Sequence, residues 1–143
     1  MAFAELENQI NEALTGRSNL CYETNFNSTP LHWPHLFRQN DYKLHLIYLC
    51  LDSIEEAKRR VAIRVQNGGH FVSESEIKKR YSEGFTNLNA HFRYFDLIDI
   101  FDTSGYSKEP EYILSFEDGA IRTKRNLPGY LVHLIPEIAK IFQ

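Results

Sequence analysis

Between Ala2 and Leu14 the apolar residues Phe3, Leu6, Ile10 and Leu14 return every three or four positions. That spacing predicts an amphipathic helix, with Gly16 placed to stop it. Asn19 to Phe26 reads as a short strand that ends in a polar set, Glu23, Thr24, Asn25, Asn27 and Ser28. Thr29 to Gln39 predicts a short helix, with Pro30 or Pro34 in its first turn and Trp33, Leu36 and Phe37 packing it down. Lys43 to Leu51 is an almost unbroken apolar run, the pattern of a strand buried on both faces in a parallel sheet.

The stretch from Asp52 to Leu88 reads as helix, hinge, helix. Ser53 with Glu56, and Ser73 with Glu76, have capping-box spacing, so each pair predicts a helix start. Ile54, Ala57, Val61 and Val65 give the first helix its apolar stripe, and Arg60 and Arg64 sit one turn apart beside it. Gly68 and Gly69 break the pattern, and the second helix carries Lys78, Lys79, Arg80 and Tyr81. Two arginine-bearing helices on a hinge suit a lid closing over an anion. On spacing alone, the same arginines also fit helices that simply face water.

Ala90 to Tyr94 adds a helical turn, and Leu97 to Phe101 is a further strand with Asp102, Thr103, Ser104 and Gly105 at its end. Asp118-Gly119 between Tyr112–Phe116 and Ala120–Lys124 predicts a hairpin. Leu131, Leu134, Ile135, Ile138, Ile141 and Phe142 predict a C-terminal amphipathic helix, split or started at Pro136, that covers a face of the sheet.

The 143 residues suit one domain, and 43% hydrophobic content with ten Phe and eight Tyr is enough to fill a core. A formal charge of −3 argues against broad nucleic-acid binding, and no apolar stretch is long enough to span a bilayer. Glu5 and Glu7 interrupt any leading signal sequence. Cys21 and Cys50 lie inside apolar patterns without metal-ligand spacing and are expected as buried thiols in a reducing cytoplasm. His32 and His35 are three apart, but no carboxylate or cysteine completes a metal site, so no metal ligand is assigned.

The run Asp52, Ser53, Glu55, Ala57, Arg60, Val61, Arg64, Val65, Gly68, Gly69, His70, Val72, Glu74, Ile77, Arg80, Tyr81, Gly84, Asn87 and Leu88 resembles the lid region of the zeta-toxin-like P-loop small-molecule kinases, found in toxin–antitoxin systems. Two flanking pieces agree. Cys21-Tyr22-Glu23-Thr24 resembles the family's strand ending in Glu-Thr beside the phosphate acceptor, and Tyr42 to Leu49 resembles the buried strand that feeds the lid. The likeness covers roughly the first two-thirds of the chain. It implies an α/β fold, an incomplete P-loop-kinase-type three-layer sandwich with a mostly parallel sheet and a helical lid over 52–88, to which the residue pattern adds a C-terminal hairpin plus helix over 111–143. It implies ATP and Mg as cofactors, and a small hydroxyl acceptor such as a UDP-amino sugar as substrate. Arg64 and Arg80 would clamp the transferring phosphoryl group, Glu23 and Thr24 would hold the acceptor, and Arg60 and His70 would touch nucleotide or phosphate.

The family's glycine-rich phosphate loop, G-x-x-x-x-G-K-[ST], has no counterpart among the glycines at 16, 68, 69, 84, 105, 119 and 129. The strand and loop that cradle ATP would fall before Met1, so the chain reads as an incomplete member, inactive alone. The missing strand normally lies between the Glu-Thr strand and the Tyr42 to Leu51 strand. Its absence predicts that these two pair directly, with Cys21 and Cys50 on neighbouring strands, or that a homodimer or a complementing N-terminal segment fills the gap. Two other functions stay open: a catalytically dead remnant that binds an anion or a partner protein, and a domain with no ligand.

Overall fold

A computed structural model describes residues 2–143. It is an α/β fold with a four-stranded mixed open sheet in the order β1-β2-β3-β4. The chain runs α1 (Ala2–Gly16), α2 (His32–Gln39), β1 (His45–Cys50), α3 (Ile54–Gln66), α4 (Glu74–His91), a 3-10 turn (Phe92–Tyr94) and β2 (Leu97–Asp102). Then come β3 (Glu111–Glu117), β4 (Ala120–Lys124), the one-turn helices α5 (Leu131–Leu134) and α6 (Pro136–Ala139), and a last 3-10 turn (Lys140–Phe142).

The capping boxes work as read. Ser53 Oγ accepts from the Glu56 amide at 3.1 Å and Ser73 Oγ from the Glu76 amide at 3.2 Å. Both hydroxyls satisfy amides that a helix start leaves free. α3 ends in a Schellman turn. Gly68 takes φ +89°, its amide donates to the Val65 carbonyl, and the Gly69 amide donates to Arg64 O at 2.7 Å. A Cβ on Gly69 would lie 2.8 Å from that carbonyl oxygen, so the second glycine is required by close approach. Asp118 (φ 50°) and Gly119 (φ 80°) form the primed turn that joins β3 to β4. Pro136 opens α6 and divides the C-terminal segment into short turns.

β1 pairs with β2 in parallel, and β2–β3 and β3–β4 are antiparallel. A mostly parallel sheet was expected from the resemblance, and among the described residues only the β1–β2 pair is parallel. One face of the sheet, with Leu46, Cys50, Ile98, Ile100, Leu114 and Phe116, is buried. Phe85 of α4 packs on Tyr48, Phe92 packs on Phe116, and the same core takes in Leu88, Leu131, Ile135 and Ile138. On the other face Ile47 and Leu49 are 54% and 58% exposed. The expectation that β1 is buried on both faces is therefore corrected: its apolar run is covered on one side only.

A second correction concerns Asn19 to Phe26. This segment is not a strand, and among the described residues positions 19–25 make no backbone–backbone hydrogen bond. It does not pair with β1. Cys50 is buried but Cys21 is exposed, so the thiols do not form the expected buried neighbours.

Candidate functional site

A cavity of about 970 Å³ opens between the segment 19–26, the free edge of β1 and the inner sides of α3 and α4. Each wall has a local cause. The segment 19–26 is held off the sheet by α4. Asn87 Nδ2 donates to the Phe26 carbonyl at 2.8 Å, and the Ser28 amide donates to Glu83 at 3.3 Å. Phe26 itself is buried against Tyr48 and Phe95. α3 follows β1 after three residues, so its Ala57, Arg60, Val61 and Arg64 turn toward the end of that strand. Tyr81 pins α4 there by donating to the Leu51 carbonyl at 2.8 Å. Burial pushes the Tyr81 hydroxyl up to about 12, with help from Asp52 and Cys50 nearby, so it stays a donor at neutral pH.

Glu23, Thr24, Arg60, Arg64 and Arg80 all line this one cavity. They come from three separate parts of the chain. His70 is exposed in the α3–α4 turn and is not part of the lining. The cavity also contains Tyr22, Lys43 and Tyr48. Their only sequence signal was position: Lys43 opens the apolar run, and Tyr22 lies inside the stretch read as a strand.

The three arginines differ in what already holds them. Arg60 Nε donates to Glu56 at 2.9 Å, and its Nη2 donates to the carbonyls of Thr103 (2.7 Å) and Ser104 (3.3 Å). It therefore ties α3 to the loop after β2. Arg80 Nε donates to Glu76 at 2.9 Å, one turn back on α4. Arg64 has no ion-pair or side-chain hydrogen-bond partner among the described residues and is exposed at the rim. Glu56 also takes two hydrogen bonds from Arg59, and with Arg60 these hold its carboxyl down at about 2, with desolvation opposing them.

The loop after β2 is fixed from both sides. Thr103 donates through its amide (2.7 Å) and hydroxyl (2.8 Å) to the Cys50 carbonyl. Asp102 accepts from Ser104 at 2.5 Å and from Tyr130 at 2.7 Å. Burial holds the Cys50 thiol protonated. Among the described residues no group of three or more His, Cys, Asp or Glu is arranged to hold a metal ion. No helix of the described residues is long and apolar enough to cross a membrane.

These features define an α/β domain with a half-open mixed sheet and a cationic cavity under two capped helices. No family model matches the chain, and no solved structure matches it. A stretch of 44 residues is 36% identical to an uncharacterized protein of Haemophilus influenzae. That stretch spans 31% of this chain and 31% of the relative, a likeness too partial to show a family.

Proposed function

We propose that the chain is the acceptor-side and lid portion of a zeta-toxin-like phosphotransferase of the P-loop kinase type. Its cavity would hold a phosphate-bearing small molecule, such as a UDP-amino sugar. The observation that carries this reading is that Glu23, Thr24, Arg60, Arg64 and Arg80, drawn from three parts of the sequence, line one cavity. Guanidinium groups offer paired N–H donors that match phosphate oxygens. Arg64, uncommitted to any carboxylate, is the one free to meet a ligand, and Arg80 faces the same space from α4. A carboxylate accepts from hydroxyls, so Glu23 suits the sugar end of the ligand, with Thr24 beside it.

The residues present do not fit ATP and magnesium in the family's manner. The sequence has no glycine-rich phosphate loop, and the cavity brings a single carboxylate, Glu23, among its lining residues. The chain alone is therefore expected to bind its acceptor without transferring phosphate. A ligand-binding remnant of the same family is the second reading, and the commitment of Arg60 to Glu56 and Thr103 favours it by leaving fewer free cations.

Isothermal titration of the chain with a UDP-amino sugar, inorganic phosphate and magnesium ATP tests both. Binding of the UDP-amino sugar is expected, and Arg64→Ala is expected to weaken it by about 1.5–3 kcal/mol, the typical worth of a charge-assisted hydrogen bond. Binding of phosphate alone would favour the remnant. Formation of a phosphorylated UDP-amino sugar together with ADP would show that the chain is itself a kinase. No heat with any of the three overturns the proposal.

A further inference from the structure

We infer that copies of this chain associate head to tail, with Phe3 at the start of α1 of one copy seated in a cationic depression at the end of β4 of the next. The inference goes beyond the phosphate reading and uses none of the residues that line the large cavity.

The two surfaces are complementary in charge. From Met1 to Gly16 the sequence carries Glu5, Glu7 and Glu12 and neither lysine nor arginine. From Gly119 to Pro136 it carries Arg122, Lys124 and Arg125 and neither aspartate nor glutamate. Glu5, Glu7 and Glu12 are exposed, and none has an ion-pair partner among the described residues. Arg122 is held by Glu117 at 3.2 Å. Arg125 is exposed and has no ion-pair or side-chain hydrogen-bond partner among the described residues. Lys124 donates to the Ile141 carbonyl at 3.3 Å and meets no carboxylate among those residues.

α1 supplies the anchor. Phe3, Leu6, Ile10 and Leu14 form one apolar stripe, and the stripe is covered unevenly. Ile10 is fully buried and Leu6 and Leu14 pack against the core, but Phe3 is 87% exposed. The first turn of α1 therefore projects past the core, with Glu7 one turn along on the side of Phe3. An exposed phenyl ring beside a carboxylate calls for an apolar seat rimmed by cations. The depression has that form. Its volume is about 640 Å³, room for a phenyl ring, and Leu127, Val132, Ala139 and Phe142 line it together with Lys124 and Arg125. Its walls are fixed, because Lys124 ties the last 3-10 turn to β4 and the Arg125 amide donates to the Ile113 carbonyl at 2.8 Å. β4 itself is a poor template for strand addition, being short, bulged against β3 and cationic, so recognition there runs through side chains. The ring and its seat are different surfaces, so every contact leaves one of each unused. Such heterologous pairing closes a ring of copies or continues as a chain.

Sedimentation of the full chain over a concentration series tests this. One helical turn buries little area, so association is expected only in concentrated solution, and it should weaken as salt rises. Phe3→Ser should weaken it by at least about tenfold, because it removes the ring from its seat. Arg125→Glu should weaken it by a similar factor. Both positions are exposed, so both variants should keep the melting temperature of the parent chain. Mixing them is the sharper test. The Phe3→Ser chain keeps its seat and the Arg125→Glu chain keeps its ring. Each alone should stay monomeric, and an equimolar mixture should form a dimer that grows no further. If Arg125→Glu fails to fold, Val132→Glu, at a partly exposed position in the same depression, takes its place. Three results overturn the inference. The parent chain could be monomeric at every concentration, which would leave the depression to a partner of different sequence. Association could survive both substitutions, which would move the contact to another face. The mixture could give no dimer. Failure of UDP-amino sugar binding would leave these results untouched, so the two proposals fail separately.

Discussion

Glu56 is the residue on which the charge arrangement around the cavity turns. Arg59 and Arg60 both donate to its carboxylate, and together they hold its carboxyl at about 2 instead of the usual 4.5. A carboxyl depressed by folding contributes stability above its unfolded value, and that contribution is lost as pH falls through the folded one. The stability difference between the wild-type chain and Glu56→Gln should therefore be full at neutral pH, shrink below about pH 4.5 and vanish near pH 2. Urea titrations across that range measure it, and a difference that persists unchanged at pH 2 would refute the assignment. The two thiols offer a second check at the same scale. Cys21 is exposed and Cys50 is fully buried. A thiol reagent should modify Cys21 at once in the native chain and reach Cys50 only on unfolding. Rapid labelling of both in the native state would mean that β1 is not where the fold places it.

At the level of elements, the hold of α4 on the segment 19–26 shapes the cavity. Gly84 lies where the two touch, and a Cβ there would come within 2.6 Å of Tyr48 Oη and 3.1 Å of the Asn25 carbonyl oxygen. Gly84→Ala should thus force the segment off the helix and cost about 1–3 kcal/mol, the usual penalty for overfilling a packed contact. Asn87→Ala, which deletes the hydrogen bond to the Phe26 carbonyl, should mobilise the same segment without overfilling anything. Denaturation curves and exchange at 21–26 distinguish the two. The helix starts at Ser53 and Ser73, the glycine stop after α3 and the Asp118-Gly119 turn were all legible in the sequence, because each is set by residues within a few positions of one another. The segment 19–26 was not. A strand exists only with a partner beside it, and its composition carries no record of whether a neighbour is present. The same reasoning explains Lys43 to Leu51, whose apolar run says that it is strand-like but not that both faces are covered. Glu23, Thr24, Arg60, Arg64 and Arg80 were found through resemblance, and the fold brings them to one cavity. His70 was chosen on the same ground and points elsewhere, because the Schellman turn carries it past the end of α3.

For the molecule as a whole, stability rests on one side of the sheet. Among the described residues a single apolar cluster runs from Ile10 in α1 through Leu88 in α4 and the sheet to Ile138 in α6. One connected core should unfold in one cooperative transition. Leu88 is fully buried in that cluster, so Leu88→Ala should cost about 2–5 kcal/mol, as truncations that leave a cavity do. Leu49 is equally apolar but 58% exposed on the open side. Leu49→Ser should therefore change the stability of the isolated chain by no more than about 0.5 kcal/mol, the range of surface substitutions. The contrast between the two leucines tests whether the second face of β1 is open in solution. If Leu49→Ser costs as much as Leu88→Ala, that face is covered by something other than the described residues.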